Sequence, residues 1–255
     1  GAPGLISLGG PHSNHLHALA AAGHRFGFAT VGLLRGHEQD TPTVADLQAW
    51  GMQIHWLGYG GFRARNLPGF WQPWQQRHRG YYCIPEGGGG LPGALGCAEL
   101  VPRLPSALAA VGWDDYDAVW LAAGTGTTLA GLVIGEAGRH PVIGALAGPP
   151  SHAVDDNVAA LLAQAGVANE GYELLDASRG GFARFDKELA QFMYTAERDG
   201  GVPLDPIYTA KTMMALRLYV ERGYVAAGTR VLFVHTGGLQ GRRAAESQLH
   251  KLIHG

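Results

Sequence analysis

Residues 124–131 read GTGTTLAG and follow directly on the apolar run AVWLAA at 118–123. A buried strand that ends in glycines and threonines, just before a helix opens, has the chemistry of an anion cup. Glycine lets backbone N–H groups come close, threonine hydroxyls add donors, and the helix N-terminus favours negative charge. A phosphate is the expected occupant. A dinucleotide fingerprint needs a third glycine in G-x-G-x-x-G and an acid about 20 residues later. Here the third position is Leu129, and the next strand-like run, 142–147, leads into Gly148 with no acid. A mononucleotide loop needs Gly-Lys-Ser/Thr, and no lysine lies near. The plain alternative is a tight strand–helix turn with no ligand.

Three other presumptive strand ends carry unusual groups. GGPHSNH at 9–15 follows a strand at 5–8, EGGGG at 86–90 follows 81–85, and HTGG at 235–238 follows 231–234. Ser13 and Asn14 sit where a helix cap belongs. His12, His15 and His17 have no carboxylate or cysteine beside them, and their spacing does not put all three on one helical face, so no metal is expected. Glycine at a strand end signals close approach by another backbone or a ligand. Four such ends would suit a flat, phosphate-bearing cofactor held in a cleft where two lobes meet.

The elements that must position these groups alternate. Strands are expected at 5–8, 29–34, 53–57 and 81–85, with helices at 13–26 and 43–50. A second series has helix 105–111, strand 118–122, helix 128–136, strand 142–147, helix 155–165, helices 187–197 and 208–222, and strand 230–235. Such alternation means βαβ units and parallel sheets. The expected fold is α/β, with two open parallel-sheet lobes and helices on both faces. The lobes are a small domain at 1–100 and a large one at 101–255, the boundary falling near 99–103. The stretch 58–80 resists the pattern. It carries Phe62, Phe70, Trp71 and Trp74 with Arg63, Arg65, Arg77 and Arg79, and no acid occurs from 47 to 85. It reads either as a basic aromatic surface or as an excursion that packs its rings on its own lobe.

Composition narrows the classes. The 255 residues are 46% hydrophobic and 16% charged, enough to bury one or two cores. A net charge of −2 implies no general affinity for nucleic acid or a membrane surface. The uncharged stretch 118–135 is too rich in glycine and threonine for a membrane span. Cys83 and Cys97 make no disulfide framework and suit a reducing, cytoplasmic compartment. The chain lacks an initiator Met and a visible signal peptide and enters a strand almost at once, as expected of a piece of something longer.

The blocks GGPHSNHLHALAAAG, IPEGGGGLPGALG, GTGTTLAGL, DPIYTAK and VHTGG together resemble the D-cysteine desulfhydrase and 1-aminocyclopropane-1-carboxylate deaminase family. These are pyridoxal-phosphate enzymes of the tryptophan-synthase-β fold type, fold type II. The resemblance spans 9–238, with the blocks in family order. It implies pyridoxal 5'-phosphate as cofactor, a small amino acid as substrate, and a homodimer. Gly124, Thr125, Gly126, Thr127 and Thr128 match the phosphate cup. Asn14 matches the residue that hydrogen-bonds the ring hydroxyl, Ser13 the serine near the substrate carboxylate and α-proton, and Tyr208 an active-site tyrosine.

Departures refine this. Where deaminases carry a glutamate after that tyrosine and a leucine before the last Gly-Gly pair, this chain has Thr209 and Thr236, nearer the desulfhydrase pattern. A hydroxyl beside the pyridine nitrogen bonds it without holding a proton on it, and a weaker electron sink suits β-elimination better than ring opening. The family's Ser-Asn is Gly89-Gly90 here, and Phe182 stands where deaminases present a tyrosine. The lysine that binds the cofactor covalently in this family lies upstream of the SNH block, whereas the lysines of this chain are Lys187, Lys211 and Lys251. Lys211 reads as an exposed structural helix lysine. The expected activity is a lyase converting D-cysteine to pyruvate, ammonia and sulfide. The alternatives are deaminase-like ring opening, or non-catalytic binding of the cofactor or a phosphate.

Overall fold

The computed structural model describes residues 1–255, the side chain of Pro150 excepted. It divides into two units, Gly1–Gly89 and Gly90–Gly255.

In the first unit β1 (Gly4–Gly9), β2 (Ala29–Leu34), β3 (Gln53–Trp56) and β4 (Tyr82–Cys83) form a parallel sheet in the order β3-β2-β1-β4. Its helices are α1 (Asn14–Phe26), α2 (Pro42–Ala49), α3 (Gly58–Arg63) and α4 (Gln72–Arg77). Ser13 caps α1 by accepting from the Leu16 N–H, and Gly27 ends it in the left-handed region at φ 75°. Thr41 caps α2, with Pro42 at its first turn. Leu16, Leu19 and Ala20 of α1 and Val44 and Leu47 of α2 bury one face of the sheet. The other face, with Ile6, Leu8, Val31 and Leu33, is covered by Phe62, Phe70, Trp71 and Trp74. The aromatic stretch 58–80 therefore supplies the second layer of its own unit. These Phe and Trp rings are used in packing, whereas Tyr59, Leu67, Arg63, Arg77 and Arg79 are exposed.

The second unit repeats the plan with β5 (Ala118–Ala123), β6 (Val142–Leu146), β7 (Tyr172–Asp176) and β8 (Val231–Val234), all parallel, in the order β7-β6-β5-β8. Around it lie α5 (Leu91–Ala98), α6 (Leu104–Ala110), α7 (Thr127–Glu136), α8 (Val154–Gln164), α9 (Lys187–Gly200), α10 (Thr209–Glu221) and α11 (Leu239–His254). Alternate residues of β5 serve opposite faces, as strand geometry requires. Val119, Leu121 and Ala123 join the core built with α5, α7 and α8, while Trp120 packs with Ala215 of α10. Among the described residues no helix is long and apolar enough to cross a membrane.

The expected α/β architecture is present, with five elements beyond those expected: α3 and α4 in the aromatic stretch, and β7, α11 and α5. β7 (YELLD) is an edge strand whose two acids mask its apolar run. α11 has a polar majority, and Leu249, with Ala245, Leu252 and Ile253 beside it, packs it against α9 and α10. α5 is a glycine-rich helix that reads as a loop until its partner is known.

That partner is α7. A Cβ at Gly131 would lie 2.3 Å from the Ala94 carbonyl oxygen and 2.6 Å from Cys97 Cβ. Gly131→Ala should therefore destabilise the protein by about 1–3 kcal/mol in denaturant melts, against the ~1 kcal/mol that helix propensity alone would add to stability.

Candidate active site

Both sheets reverse their strand order once. In the second unit the chain places β6 and β7 on one side of β5 and then returns to lay β8 on the other. The switch point lies between β5 and β8, and in open parallel sheets ligands bind beyond the carboxyl ends of the strands at such a point. Leu121 pairs with Val234 there, so GTGTT and HTGG leave the same sheet edge side by side. The first unit repeats this with β1 and β4: the SNH block leaves β1 and Glu86–Gly88 follows β4. All four glycine-rich blocks thus flank a switch point of their own unit.

Two of these turns share one construction. Gly126 caps α7 at φ 84° and Gly238 caps α11 at φ 92°, and neither helix has a side-chain cap. The first-turn N–H groups of α7 are left for an external acceptor. Thr125 Oγ1 and Thr127 Oγ1 lie 3.2 Å apart, and Asn157 of α8 donates to the Thr125 carbonyl. A Cβ at Gly126 would come within 2.7 Å of Val158 Cγ2, so α8 braces the turn from behind. Thr127 is buried, Thr128 half-buried and Thr125 exposed. Thr128 Oγ1 accepts a long contact from Cys97 Sγ, 3.9 Å away.

Tyr208 joins this cup. Its ring lies where a side chain at Gly124 would go, Cε1 being 3.3 Å from a Cβ built there. Its position depends on Asp205, which sequence reading passed over. The buried Asp205 carboxylate accepts from the N–H groups of Ile207 (2.9 Å), Tyr208 (3.0 Å) and Thr209 (2.8 Å) and from the Thr209 hydroxyl (2.8 Å). It also fills the space beside Gly238, where a Cβ would be 2.7 Å from its Cγ. His235 Nε2 donates to the Pro203 carbonyl, 2.9 Å away, and stitches the same segment to the end of β8. The signal for Asp205 was the Asp-Pro opening of DPIYTAK, an Asx-type helix entry.

The chain matches the model of a family described as pyridoxal-phosphate dependent enzyme over residues 3–237. The chain belongs to that family. D-cysteine desulfhydrase of Klebsiella pneumoniae is 28% identical, the match covering 93% of this chain and 77% of the relative. The Arabidopsis thaliana bifunctional D-cysteine desulfhydrase/1-aminocyclopropane-1-carboxylate deaminase is 26% identical over 98% of this chain and 67% of its own. A solved crystal structure described as an ACC deaminase homologue superposes with a TM-score of 0.83 at 27% identity, covering 99% of this chain and 79% of the other.

The cup fits the family's phosphate-bearing cofactor. The uncapped start of α7, the threonine hydroxyls, a turn with no room for a side chain at Gly126 and a tight fit at Gly124 are features that suit a phosphoester. Of the residues singled out from sequence, the second unit brings together Gly124, Thr125, Gly126, Thr127, Thr128 and Tyr208, with exposed Thr236 on the adjoining turn. Thr209 is placed differently. It is 1% exposed, and its hydroxyl is held by Asp205, donating to the carboxylate and accepting from the Asp205 N–H at 2.7 Å.

Ser13 and Asn14 lie in the first unit at the start of α1, where Ser13 acts as the cap. The nearby histidines serve separate partners. The buried Ser7 hydroxyl donates to the Ile84 carbonyl (2.8 Å) and receives His15 Nε2 at 2.8 Å, tying β1, α1 and the end of β4 together. His17 Nε2 meets Asp46 of α2 at 2.8 Å.

Lys211 overturns its sequence reading. It is 2% exposed, and Nζ donates to the carbonyls of Ser178 (2.9 Å), Gly181 (3.1 Å) and Ala147 (3.4 Å). Burial lowers its pKa to about 8, with Arg179 acting in the same direction and Asp205, Asp176 and Asp186 opposing. An amphipathic-helix reading could not find this, because the acceptors are loop carbonyls 30 or more residues away in sequence.

Two outcomes follow. Gly126→Ala should cost about 1–2 kcal/mol from the positive φ alone, and it should abolish cofactor retention as read by absorbance after dialysis. Burial depresses the His15 pKa to about 4. The unfolded chain, with an ordinary pKa near 6.5, then binds the proton first as pH falls. The stabilisation is complete above about 6.5 and is lost as pH drops towards 4. His12, His55 and His78 shift in the same direction. The difference between the wild-type and His15→Gln stability curves isolates the His15 share: it should shrink as pH falls from about 6.5 towards 4, and a difference that does not change with pH would mean that His15 titrates normally in the folded state.

Proposed function

We propose that this chain acts as a pyridoxal-phosphate-dependent lyase on a small amino acid, with D-cysteine as the preferred substrate. The overall reaction is D-cysteine plus water to pyruvate, ammonia and hydrogen sulfide. The observation that carries the reading is the pair of uncapped, glycine-led turns at the β5–β8 switch point, with Tyr208 packed on Gly124. When bound, the cofactor supplies an electron sink for the amino-acid α-carbon.

The chain's own residues divide the remaining work. Gly124, Thr125, Gly126, Thr127 and Thr128 hold the phosphoester through backbone N–H groups and hydroxyls. Thr236, exposed at the end of β8, presents a neutral hydroxyl to the ring nitrogen, so no carboxylate holds a proton there. Thr209 acts through Asp205, fixing the backbone that carries Tyr208. Tyr208 offers a phenol at the cup and moves a proton at the leaving sulfur. Asn14 binds the ring hydroxyl. Ser13 positions the substrate carboxylate and shares in handling the α-proton, in addition to capping α1. These last two roles rest on the block resemblance. The desulfhydrase and deaminase names of the relatives support the substrate class.

The unpaired Cys83 and Cys97 accord with a reducing, cytoplasmic setting. A homodimer fits the exposed Leu95 of α5 and Leu100 just after it, and sedimentation tests it.

The experiment is turnover by the full-length protein, with pyruvate measured from D-cysteine and 2-oxobutanoate from 1-aminocyclopropane-1-carboxylate. Pyruvate formation is expected to dominate, and Tyr208→Phe should lower kcat by about 10²-fold, the scale of a lost proton-transfer group. Dominant 2-oxobutanoate would shift the reading to ring opening. Cofactor binding with neither product, and no lysine adduct after borohydride reduction, would leave a non-catalytic binder.

A further inference from the structure

The segment after β7 is strained. Within five residues the chain takes positive φ at Arg179 (51°), Gly180 (82°), Gly181 (150°) and Ala183 (59°). Two of these carry side chains, and each costs on the order of 1 kcal/mol or more unless its surroundings impose the conformation. Phe182 sits in the middle, 43% exposed. Its ring stands edge-to-face on Tyr208, centroids 5.9 Å apart, and 5.8 Å from His152. Tyr208 in turn lies on Gly124.

Several contacts impose this shape. Asp176 Oδ1 accepts from the Ser178 N–H at 2.8 Å. Arg179 pairs with Asp186 and Glu188 on the outer side. On the inner side Lys211 reaches the loop's carbonyls, spanning Ser178 O and Gly181 O and reaching Ala147 O after β6. A buried ammonium paired with carbonyls alone is a costly device for simple core filling, where an apolar side chain of the same length would serve better. Its three donors match the three carbonyls of two separate strand-end loops.

Resting on the lyase reading above, we propose that Lys211 is a positioning residue: it clamps the 178–181 loop to the end of β6 so that Phe182 stands against Tyr208 and limits which amino-acid side chain fits beside that tyrosine. The lysine touches neither substrate nor cofactor, and it acts through the loop.

The test uses Lys211→Met, Phe182→Ala and the double variant in the full-length protein. Amide hydrogen exchange is read first, because it needs no turnover. The clamp predicts exchange about tenfold faster at 177–184 in Lys211→Met, with the β5 peptide 118–123 unchanged. Unchanged exchange at 177–184, or an equal rise across the whole second unit, overturns it. Kinetics with D-cysteine follow. Lys211→Met should raise KM about tenfold and change kcat less than about threefold, the pattern of lost substrate fit. Phe182→Ala should raise KM comparably, and the double variant should add little to either. Additive KM effects overturn the proposal. If Lys211→Met does not fold, Lys211→Gln, which keeps an amide donor, must show intermediate exchange at 177–184, and wild-type exchange there overturns the clamp. Absence of D-cysteine turnover by the wild type would sink the substrate reading, with the exchange result still deciding the clamp.

Discussion

Gly126 and Gly238 each turn the chain from a parallel strand into a helix at a positive φ, with a neighbouring side chain already occupying the place of a Cβ. That constraint organises the second unit. A helix begun this way has no side-chain cap, so its first N–H groups remain open to an anion. Two such helices start side by side because β5 and β8 are neighbours across the switch point. The cup is thus a product of topology as much as of glycine content.

The surrounding groups are held by carboxylates and carbonyls rather than by the cup itself. Asp205 gathers three backbone N–H groups and one hydroxyl, which fixes Tyr208 and leaves Gly238 its tight turn. Lys211 gathers three carbonyls. One buried anion and one buried cation, both on the segment DPIYTAK, therefore face opposite kinds of backbone group. Each is tolerable in the interior because its hydrogen-bonding capacity is largely met.

In the first unit the same economy appears with neutral groups. Ser7 and His15 join two strands and a helix through one hydroxyl, and the aromatic stretch 58–80 closes the second face of the sheet. Glycine-rich strand ends recur at β1 and β4, so both units follow one plan with different packing chemistry.

The order of strands and helices was legible in the sequence because apolar runs of strand length alternate with helical periodicity and glycine marks the joins. The cup was legible because GTGTT is contiguous, and five blocks in order carried the family. β7, α5 and α11 were not, since two acids, several glycines and a polar majority blur their patterns until a partner surface selects them. The partner of Thr209 was hidden for a related reason: sequence places its hydroxyl at a family position, while the fold shows it bonded to the Asp205 carboxylate. Lys211 reads alone as an ordinary solvated helix residue. Only the folded chain brings Ala147, Ser178 and Gly181 around its ammonium, because hydrogen bonds between residues far apart in sequence leave no local pattern to read.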